Sequence, residues 1–298
     1  MEKRILGIDI GGSSVKMGIL DSNGGIAEFR QISTITGDAE IMADKIAEAA
    51  SEYAADIIGV GTAGRVNHKS NLVSAGNLHW KNVPLKALLE KRLQKPVWVD
   101  NDAKAAMMAE FYSGVCKGTR CAVFITLGTG LGGGLIINGI PWRGDDNTAF
   151  ELGHIITHGE ACDLSGETKL GRFEHYVSTS GLVRLAGGQS AREVINGVLA
   201  RDPQAMDIFD MFIHELVIGL LTVIQLFRPE VIALGGGLSK AGDYLVEGVR
   251  KKLKNSFVSG SDTQIHIAAH HNNAGMIGAA ALAKLYFSEV HTNENLAR

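Results

Sequence analysis

Residues 124–135 read FITLGTGLGGGL, an apolar run that leads into a stretch with five glycines. The spacing Gly128-x-Gly130-x-x-Gly133 matches, by letter, the fingerprint of dinucleotide-binding proteins. That fingerprint needs its glycines between a strand and a helix, because the amino end of the helix binds the pyrophosphate. Here the residues that follow, GLIINGI at 134–140, are typical of a strand. The pattern therefore predicts a glycine turn between two strands and argues against a dinucleotide site.

A stretch with the same plan lies near the start of the chain. Residues 8–24, IDIGGSSVKMGILDSNG, and residues 125–141, ITLGTGLGGGLIINGIP, each contain an apolar strand, a glycine turn, a second apolar strand and an Asn-Gly turn. Each copy opens a run that reads as three strands followed by a helix, a strand and a helix. A duplication on this scale predicts two similar α/β lobes facing each other across a cleft, and not a short-period solenoid.

Composition limits the class of protein. The chain has 298 residues, and its net charge of −3 gives no field that would attract nucleic acid or an anionic membrane. Its three cysteines, Cys116, Cys121 and Cys162, form no close pair, which favours a reducing cytoplasm over a disulfide framework. No window approaches the roughly 20 apolar residues of a membrane span. We therefore expect a cytoplasmic protein that binds neither nucleic acid nor membranes.

Seven motifs, in the family's order along nearly the whole chain, resemble the ROK family (repressors, open reading frames and kinases) of the actin-like ATPases. They are GIDIGGSSVKMGILD, GVGTAGRVN, GNLHWKNVPL, VDNDAKAAMMAE, TLGTGLGGGLIINGIPWRG, FELGHI and ALGGGLS. The resemblance implies an α/β chain with a duplicated actin-like (ribonuclease H-like) ATPase fold and two lobes around a central cleft. We assign residues 1–115 to the amino-terminal lobe and 116–298 to the carboxy-terminal lobe. A final helix at about 274–290 is a candidate to pack back onto the first lobe.

The resemblance also implies a reaction, the transfer of the γ-phosphate of Mg-ATP to a primary hydroxyl of a sugar, with C6 as the expected position. The expected sugar is glucose, an N-acetylhexosamine or a β-glucoside. The expected cofactors are ATP and Mg²⁺, and the expected assembly is a homodimer. A sugar-responsive regulator or a non-catalytic sugar-binding protein of the same family is the alternative. Regulators of the family carry a helix-turn-helix ahead of the first phosphate motif, whereas here that motif begins at residue 5.

The VDND motif supplies the candidate base. Asp102 resembles the family's general base, which takes the proton of the attacking sugar hydroxyl. From the residues alone, Asp102 is equally suited to cap a helix over 103–113. Asn101 resembles a sugar-binding amide, which offers both a donor and an acceptor. Asp100 has no role that the resemblance carries over.

Glycine turns supply the expected phosphate contacts, because a missing Cβ lets backbone amides approach an anion. Asp9 would hold Mg²⁺, in part through water, as the hard oxygen ligation of that ion requires. The residues that resemble the phosphate and adenosine motifs are Asp9, Gly11, Gly12 and Ser13, then Thr129, Gly130, Gly132 and Gly133, then Gly235 and Gly236.

Sugar ligands are expected from several segments. By resemblance they are Gly64, Asn77, Asn101, Glu151, His154 and Glu174. Many members of the family follow the histidine with a CxCGxxGCLE stretch that, with that histidine, holds structural zinc, but here residues 154–176 contain Cys162 as their one cysteine. Because structural zinc needs four nitrogen or sulfur ligands, we expect none. An atypical site on His154, His158 and Cys162 stays open.

Overall fold

The computed structural model describes residues 3–258 and 261–289, and within them the chain forms two compact units. The first contains the described residues up to Lys117, the segment Pro141–Ala149 and the residues from Asn272 on. The second contains Gly118–Ile140 and Phe150–His271. The sequence-based division at 115/116 places Pro141–Ala149 in the other lobe, whereas the final helix, the candidate to pack back onto the first lobe, groups with the first unit.

The first unit is built on a five-stranded sheet. Its strands are β1 (Ile5–Ile10), β2 (Ser14–Leu20), β3 (Ile26–Ser33), β4 (Ile57–Thr62) and β8 (Val97–Asn101), in the order β3-β2-β1-β4-β8. A small antiparallel sheet adds β5 (Arg65–Asn67), β6 (Leu72–Ala75) and β7 (Trp80–Val83). Helices α1 (Ala39–Ala50), α2 (Leu85–Leu93) and α3 (Asp102–Ser113) alternate with these strands along the chain. The β1–β2 and β2–β3 pairs are antiparallel, whereas β4 and β8 join in parallel.

The second unit repeats this sheet. Its strands are β9 (Cys121–Leu127), β10 (Leu131–Ile137), β11 (Ile140–Pro141, whose last residue groups with the first unit), β12 (Val231–Gly235) and β13 (Gln264–Ile267), in the order β11-β10-β9-β12-β13. Again a hairpin of early strands continues into two parallel strands. Its helices are α4 (Phe173–Tyr176), α5 (Thr179–Leu185), α6 (Ala191–Leu199), α7 (Pro203–Phe227) and α8 (Asp243–Lys254). The duplication predicted from the two glycine turns is therefore present as a repeated strand order.

The last described helix, α9 (Ala274–Glu289), belongs to the first unit. Residue 290 of the predicted helix lies outside the described residues. A Cβ on Gly7 of β1 or on Gly59 of β4 would lie 2.1 Å or 1.9 Å from a backbone oxygen of α9, so only glycine permits this packing. The helix thereby covers β1 and β4, the strands that carry the first glycine turn and Gly64.

Each unit has its own core. In the first, Leu6, Ile8 and Val60 of the sheet pack with Met42 and Ile46 of α1. In the second, Phe173, Phe209 and Phe212 pack against strands β9 and β12. None of the described helices combines the length and the apolar character that crossing a bilayer requires.

Candidate active site

Asp9 lies near the end of β1, opposite Lys16 in β2. Burial raises the pKa of Asp9, and the charge of Lys16 opposes that rise. A Cβ on Gly275, in the first turn of α9, would lie 2.4 Å from Cγ of Asp9, so the carboxylate packs directly against this helix end. The amino end of a helix stabilises a negative charge. Lys16 donates from Nζ to the carbonyl oxygen of Asn272 at 3.0 Å, which holds its ammonium group beside the same helix end.

The turn after β1 presents backbone amides. The N–H of Gly11 donates to the oxygen of Ser14 at 3.0 Å, and Thr34 Oγ1 donates to the oxygen of Gly11 at 2.7 Å. Gly12 and Ser13 are exposed, and within the described residues their N–H groups donate to no backbone acceptor. Asn77 is close by, because a Cβ on Gly12 would lie 3.4 Å from its Nδ2. An anion can therefore reach these amides beside a hydrogen-bonding side chain.

Asn101, and not Asp102, caps the helix that follows β8. Asn101 is the N-cap of α3, since its Oδ1 accepts from the N–H of Ala103 at 3.0 Å and of Lys104 at 3.2 Å. Its Nδ2 donates to the oxygen of Gly64 at 2.8 Å and to Oδ1 of Asp102 at 3.0 Å. These four hydrogen bonds use all donors and acceptors of the amide, so a sugar contact would have to replace one of them.

Asp102 is the first residue of α3, and solvent reaches its side chain. Its Oδ1 also accepts from the N–H of Ala103 at 2.8 Å. Burial raises the pKa of Asp102 to about 6, the negative charge of Asp9 adds to the rise, and the N–H of Ala103 opposes it. Water and protein surround different sides of this carboxyl group, as expected for a base that a substrate must reach.

The carboxylate of Asp9 is a suitable ligand for a magnesium ion. The charge of Asp9 acts on Asp102, so the two carboxylates reinforce each other's negative potential. A divalent cation would offset that repulsion, and Mg²⁺ is held in proteins by one or two carboxylates while it keeps several waters.

Gly64 needs to be glycine. Its φ is +91°, and a Cβ there would lie 2.3 Å from the oxygen of Ser74. The oxygen of Gly64 is in turn the acceptor for Asn101. Gly64 therefore acts on the site through its backbone, by holding the N-cap of α3.

In the second unit, the glycine turn between β9 and β10 encloses Glu174. Oε2 of Glu174 accepts from the N–H of Leu131 at 2.9 Å, and Lys169 Nζ donates to Oε1. A Cβ on Gly130 would lie 2.5 Å from Oε2, so the turn and the carboxylate are in close contact. Burial pushes the pKa of Glu174 up, but the hydrogen bonds from Lys169 and Leu131 outweigh it and lower the pKa. Because a strand follows the glycines, the turn is not a dinucleotide fingerprint.

The other candidates of this turn lie around Glu174. Thr129 is exposed at the tip, Gly132 lies in β10 opposite Thr126, and a Cβ on Gly133 would lie 2.7 Å from Leu152. Glu151 precedes a short 3-10 turn over Leu152–His154, His154 is its last residue, and both are exposed. His154 contributes to the lowered pKa of Glu174, which places its ring near this carboxylate.

Gly235 and Gly236 end β12 beside a cavity. Gly236 has a φ of +86°, and a Cβ there would lie 2.4 Å from the oxygen of Leu127. The cavity measures about 410 Å³ and is lined by Thr179, Ala191, Arg192, Ile195, Asn196, Leu199, Gly237, Leu238 and Lys240. Thr179 is tied to the glycine turn, since its N–H donates to the oxygen of Gly128 at 2.8 Å. Neither Arg192 nor Lys240 was predicted, because nothing in the sequence connects α6 with the turn after β12.

The segment that replaces the family's cysteine-rich stretch is closed by hydrogen bonds. Asp163 accepts from the N–H and Oγ of Ser165 and from the N–H and Oγ1 of Thr168. His158 stacks on Tyr176 with ring centroids 3.8 Å apart, and its Nε2 lies 3.4 Å from Glu215 Oε2. Within residues 3–258 and 261–289, no three or more His, Cys, Asp or Glu side chains are grouped in a way that could hold a metal.

Asp100 belongs to a buried network that the sequence did not predict. It is 1% exposed, and its Oδ1 accepts from the N–H of Asn101 and from Nδ2 of Asn147, both at 2.8 Å. Asn147 is 47 positions away in the chain, so no local pattern could have linked the two.

Two glycine turns on one repeated sheet plan, with an acid at the end of the first strand, define an actin-like ATPase fold. The chain belongs to the ROK family, whose sequence model matches residues 5–285. It is 36% identical to the glucokinase of Streptomyces coelicolor over 94% of this chain and 97% of that protein. It is 30% identical to a β-glucoside kinase of Listeria innocua, over 93% and 96%.

Comparison with solved structures agrees with this family assignment. A ROK family glucokinase from Streptomyces griseus, crystallised with glucose and AMPPNP, has a TM-score of 0.79 and 31% identity, over 95% of this chain and 99% of that one. The predictions of family, fold class and enzyme class are therefore confirmed, and the protein is a sugar kinase.

Proposed function

We propose that the protein transfers the γ-phosphate of Mg-ATP to the C6 hydroxyl of a hexose or β-glucoside, with Asp102 as general base. The carboxyl group of Asp102 carries this proposal. It is fixed at the start of α3 by the N–H of Ala103 and the amide of Asn101, and solvent still reaches it. A pKa of about 6 leaves it ionised at neutral pH yet a stronger base than an ordinary aspartate.

Asp9 would hold magnesium, with Asp102 close enough to share its electrostatic field. When bound, the ion neutralises the charge that develops on the transferring phosphoryl group. Gly12 and Ser13 offer amides to phosphate oxygens from the first unit, and Gly11, whose own N–H donates to Ser14, shapes their turn. Thr129, Gly130, Gly132 and Gly133 are the corresponding candidates of the second unit.

The cavity beside Gly235–Gly237 is our candidate for the nucleoside of ATP. Its volume of about 410 Å³ suits a nucleoside. Ile195 and Leu238 offer apolar walls for a base, while Arg192, Asn196 and Lys240 supply polar groups for the ribose or the phosphates.

Sugar hydroxyls donate readily to carboxylates and to an imidazole nitrogen, which are the groups that Glu151, Glu174 and His154 offer. Asn77 adds an amide beside the first glycine turn, and Asn101 and Gly64 support the base. Glucose and β-glucosides are favoured as substrates by the names of the relatives, and an N-acetylhexosamine is retained from the family resemblance. We also retain the homodimer and the cytoplasmic location as expectations; the latter agrees with three free cysteines among the described residues.

The test is a coupled ADP assay with Mg-ATP and a panel of glucose, mannose, N-acetylglucosamine, N-acetylmannosamine and cellobiose. We expect one sugar to be phosphorylated at C6, as read from the carbon shifts of the product. Asp102→Asn should bind that sugar with a similar Kd and lose at least about 100-fold in kcat, the lower range for a general base. Near-normal turnover of Asp102→Asn would refute the base assignment, and no turnover of any sugar by the unaltered protein would refute the proposed substrate class.

A further inference from the structure

Three polar residues behind the candidate base are buried although two of them carry charge. Asp100 is 1% exposed, Asn147 3% and Lys104 5%. Asp100 and Lys104 stand on either side of the Asn101–Asp102 turn, whereas Asn147 comes from the segment Pro141–Ala149. Charged side chains are rarely buried without specific partners, so their bonds indicate what they hold in place.

Asp100 holds the turn that precedes α3. Its Oδ1 accepts from the backbone N–H of Asn101 at 2.8 Å, and its Oδ2 accepts from Trp98 Nε1 at 3.4 Å. Hydrogen bonds to an ionised acceptor are stronger than those between neutral groups. The carboxylate thus fixes the backbone at the last residue of β8, one residue before the candidate base.

Asn147 links that carboxylate to the helix. Its Nδ2 donates to Oδ1 of Asp100 at 2.8 Å and to the oxygen of Val66 at 3.2 Å. Its own backbone oxygen accepts from Lys104 Nζ, and its Oδ1 lies 3.5 Å from the same nitrogen. Strand β8, the segment Pro141–Ala149 and helix α3 are therefore joined by one residue at the point where the strand turns into the helix.

We propose that Asp100 is a positioning residue for phosphoryl transfer, which orients the Asp102 carboxylate through the Asn101–Asp102 turn, with Asn147 as its bridge to Lys104. This proposal rests on the proposed function, because it takes Asp102 as the base. Asp100 is too buried to touch a substrate. Its loss would free the turn to rotate, and a displacement of about 1 Å at a reacting group can cost on the order of 100-fold in rate.

The experiment compares Asp100→Ala, Asp102→Asn and the double variant in the sugar phosphorylation assay. We expect Asp100→Ala to lower kcat by about 10- to 100-fold, with the KM for the sugar changed less than about threefold, because the change displaces the base and no sugar ligand. In the double variant, Asp100→Ala should cause no further loss beyond that of Asp102→Asn. This lack of additivity marks two residues that act as one unit.

Glu110→Ala is the matched control. Like Asp100, Glu110 is a buried acid, but it lies in α3 near the end of the helix that is far from Asp102. This substitution should lower thermal stability while keeping kcat within about twofold. If Asp100→Ala does not fold, Asn147→Ala breaks the same bridge and should give the same non-additive loss. If Asp100→Ala lowers kcat by the same factor in the unaltered protein and in Asp102→Asn, the positioning role is overturned. Near-normal turnover of Asp102→Asn would instead overturn the proposed base itself.

Discussion

At the scale of single residues, the assignment of Asp102 as the base predicts the pH range in which the enzyme is active. Burial raises its pKa to about 6, and the neighbouring charge of Asp9 is the second cause. A base must be ionised to accept a proton, so kcat/KM for Mg-ATP, which reports the free enzyme, should fall as the pH drops through about 6, approaching tenfold per pH unit. An aspartate with an ordinary pKa near 3.9 would keep the enzyme active about two pH units lower.

The prediction can be checked without turnover. In magnesium-free protein, the carboxyl carbon shift of Asp102 should titrate with a midpoint near 6. Asp9→Asn should move that midpoint down, because it removes one of the two causes of the rise. A midpoint near 4 in the unaltered protein, or no change in Asp9→Asn, would contradict this electrostatic account.

Asn101 and Asp102 show where sequence reasoning stops at this scale. An acid at the start of a predicted helix suits a cap and a base equally well, and the pattern NDA fits either residue as the N-cap. The structure makes Asn101 the cap, and its Nδ2 also donates to the carboxylate of Asp102. Only the backbone geometry at the end of β8 could decide this, since both residues have the required side-chain oxygen.

At the scale of elements, the segment 155–172 shows how a loop can be closed by hydrogen bonds. Asp163 accepts four hydrogen bonds from Ser165 and Thr168, which lower its pKa. Gly171 has a φ of +80°, and a Cβ there would lie 2.5 Å from Cα of Cys162, so the end of the segment packs closely against its middle. Hydrogen bonds and this close backbone contact hold the segment in its conformation.

This element should depend on Asp163 and not on a metal. In Asp163→Ala, the amide hydrogens of Ser165 and Thr168 lose an ionised acceptor, so their exchange should accelerate by about tenfold, because hydrogen bonds to a charged acceptor are stronger than those between neutral groups. Treating the unaltered protein with a zinc chelator should leave exchange unchanged. Glu160→Ala is the control, because this exposed acid makes no side-chain hydrogen bond within the described residues. Accelerated exchange after chelation would contradict the expected absence of structural zinc.

At the scale of the whole molecule, the sequence predicted those features of the fold that depend on residues close together in the chain. The repeated strand, glycine turn and strand around residues 8–24 and 125–141 predicted the shared strand order of the two sheets. The link between Asp100 and Asn147 and the cavity wall at Arg192 and Lys240 were not predictable. They join residues that are far apart in the chain, and a single sequence carries periodicity but no pairing across long separations.

Helix α9 also makes a contact between residues that are far apart in the sequence, because it packs the end of the described chain against the helix of the candidate base. A Cβ on Gly278 would lie 1.5 Å from the oxygen of Ala105, three residues after Asp102. Gly278→Ala must therefore push α3 and α9 apart. We expect a loss of about 1–3 kcal/mol in the free energy of unfolding, measured in urea, as for other overpacked cores.

The same substitution should lower kcat, because moving Ala105 moves the start of α3 and with it the Asp102 carboxylate. Gly159→Ala serves as the control, since a Cβ there meets no atom within 4 Å and both quantities should stay unchanged. If Gly278→Ala reduces stability but leaves kcat intact, α9 supports only the core of the first unit. If it changes neither, the close packing of α3 on α9 is wrong. A parallel loss of stability and kcat would support a role for α9 in fixing the geometry of a base that lies 176 residues before Gly278 in the sequence.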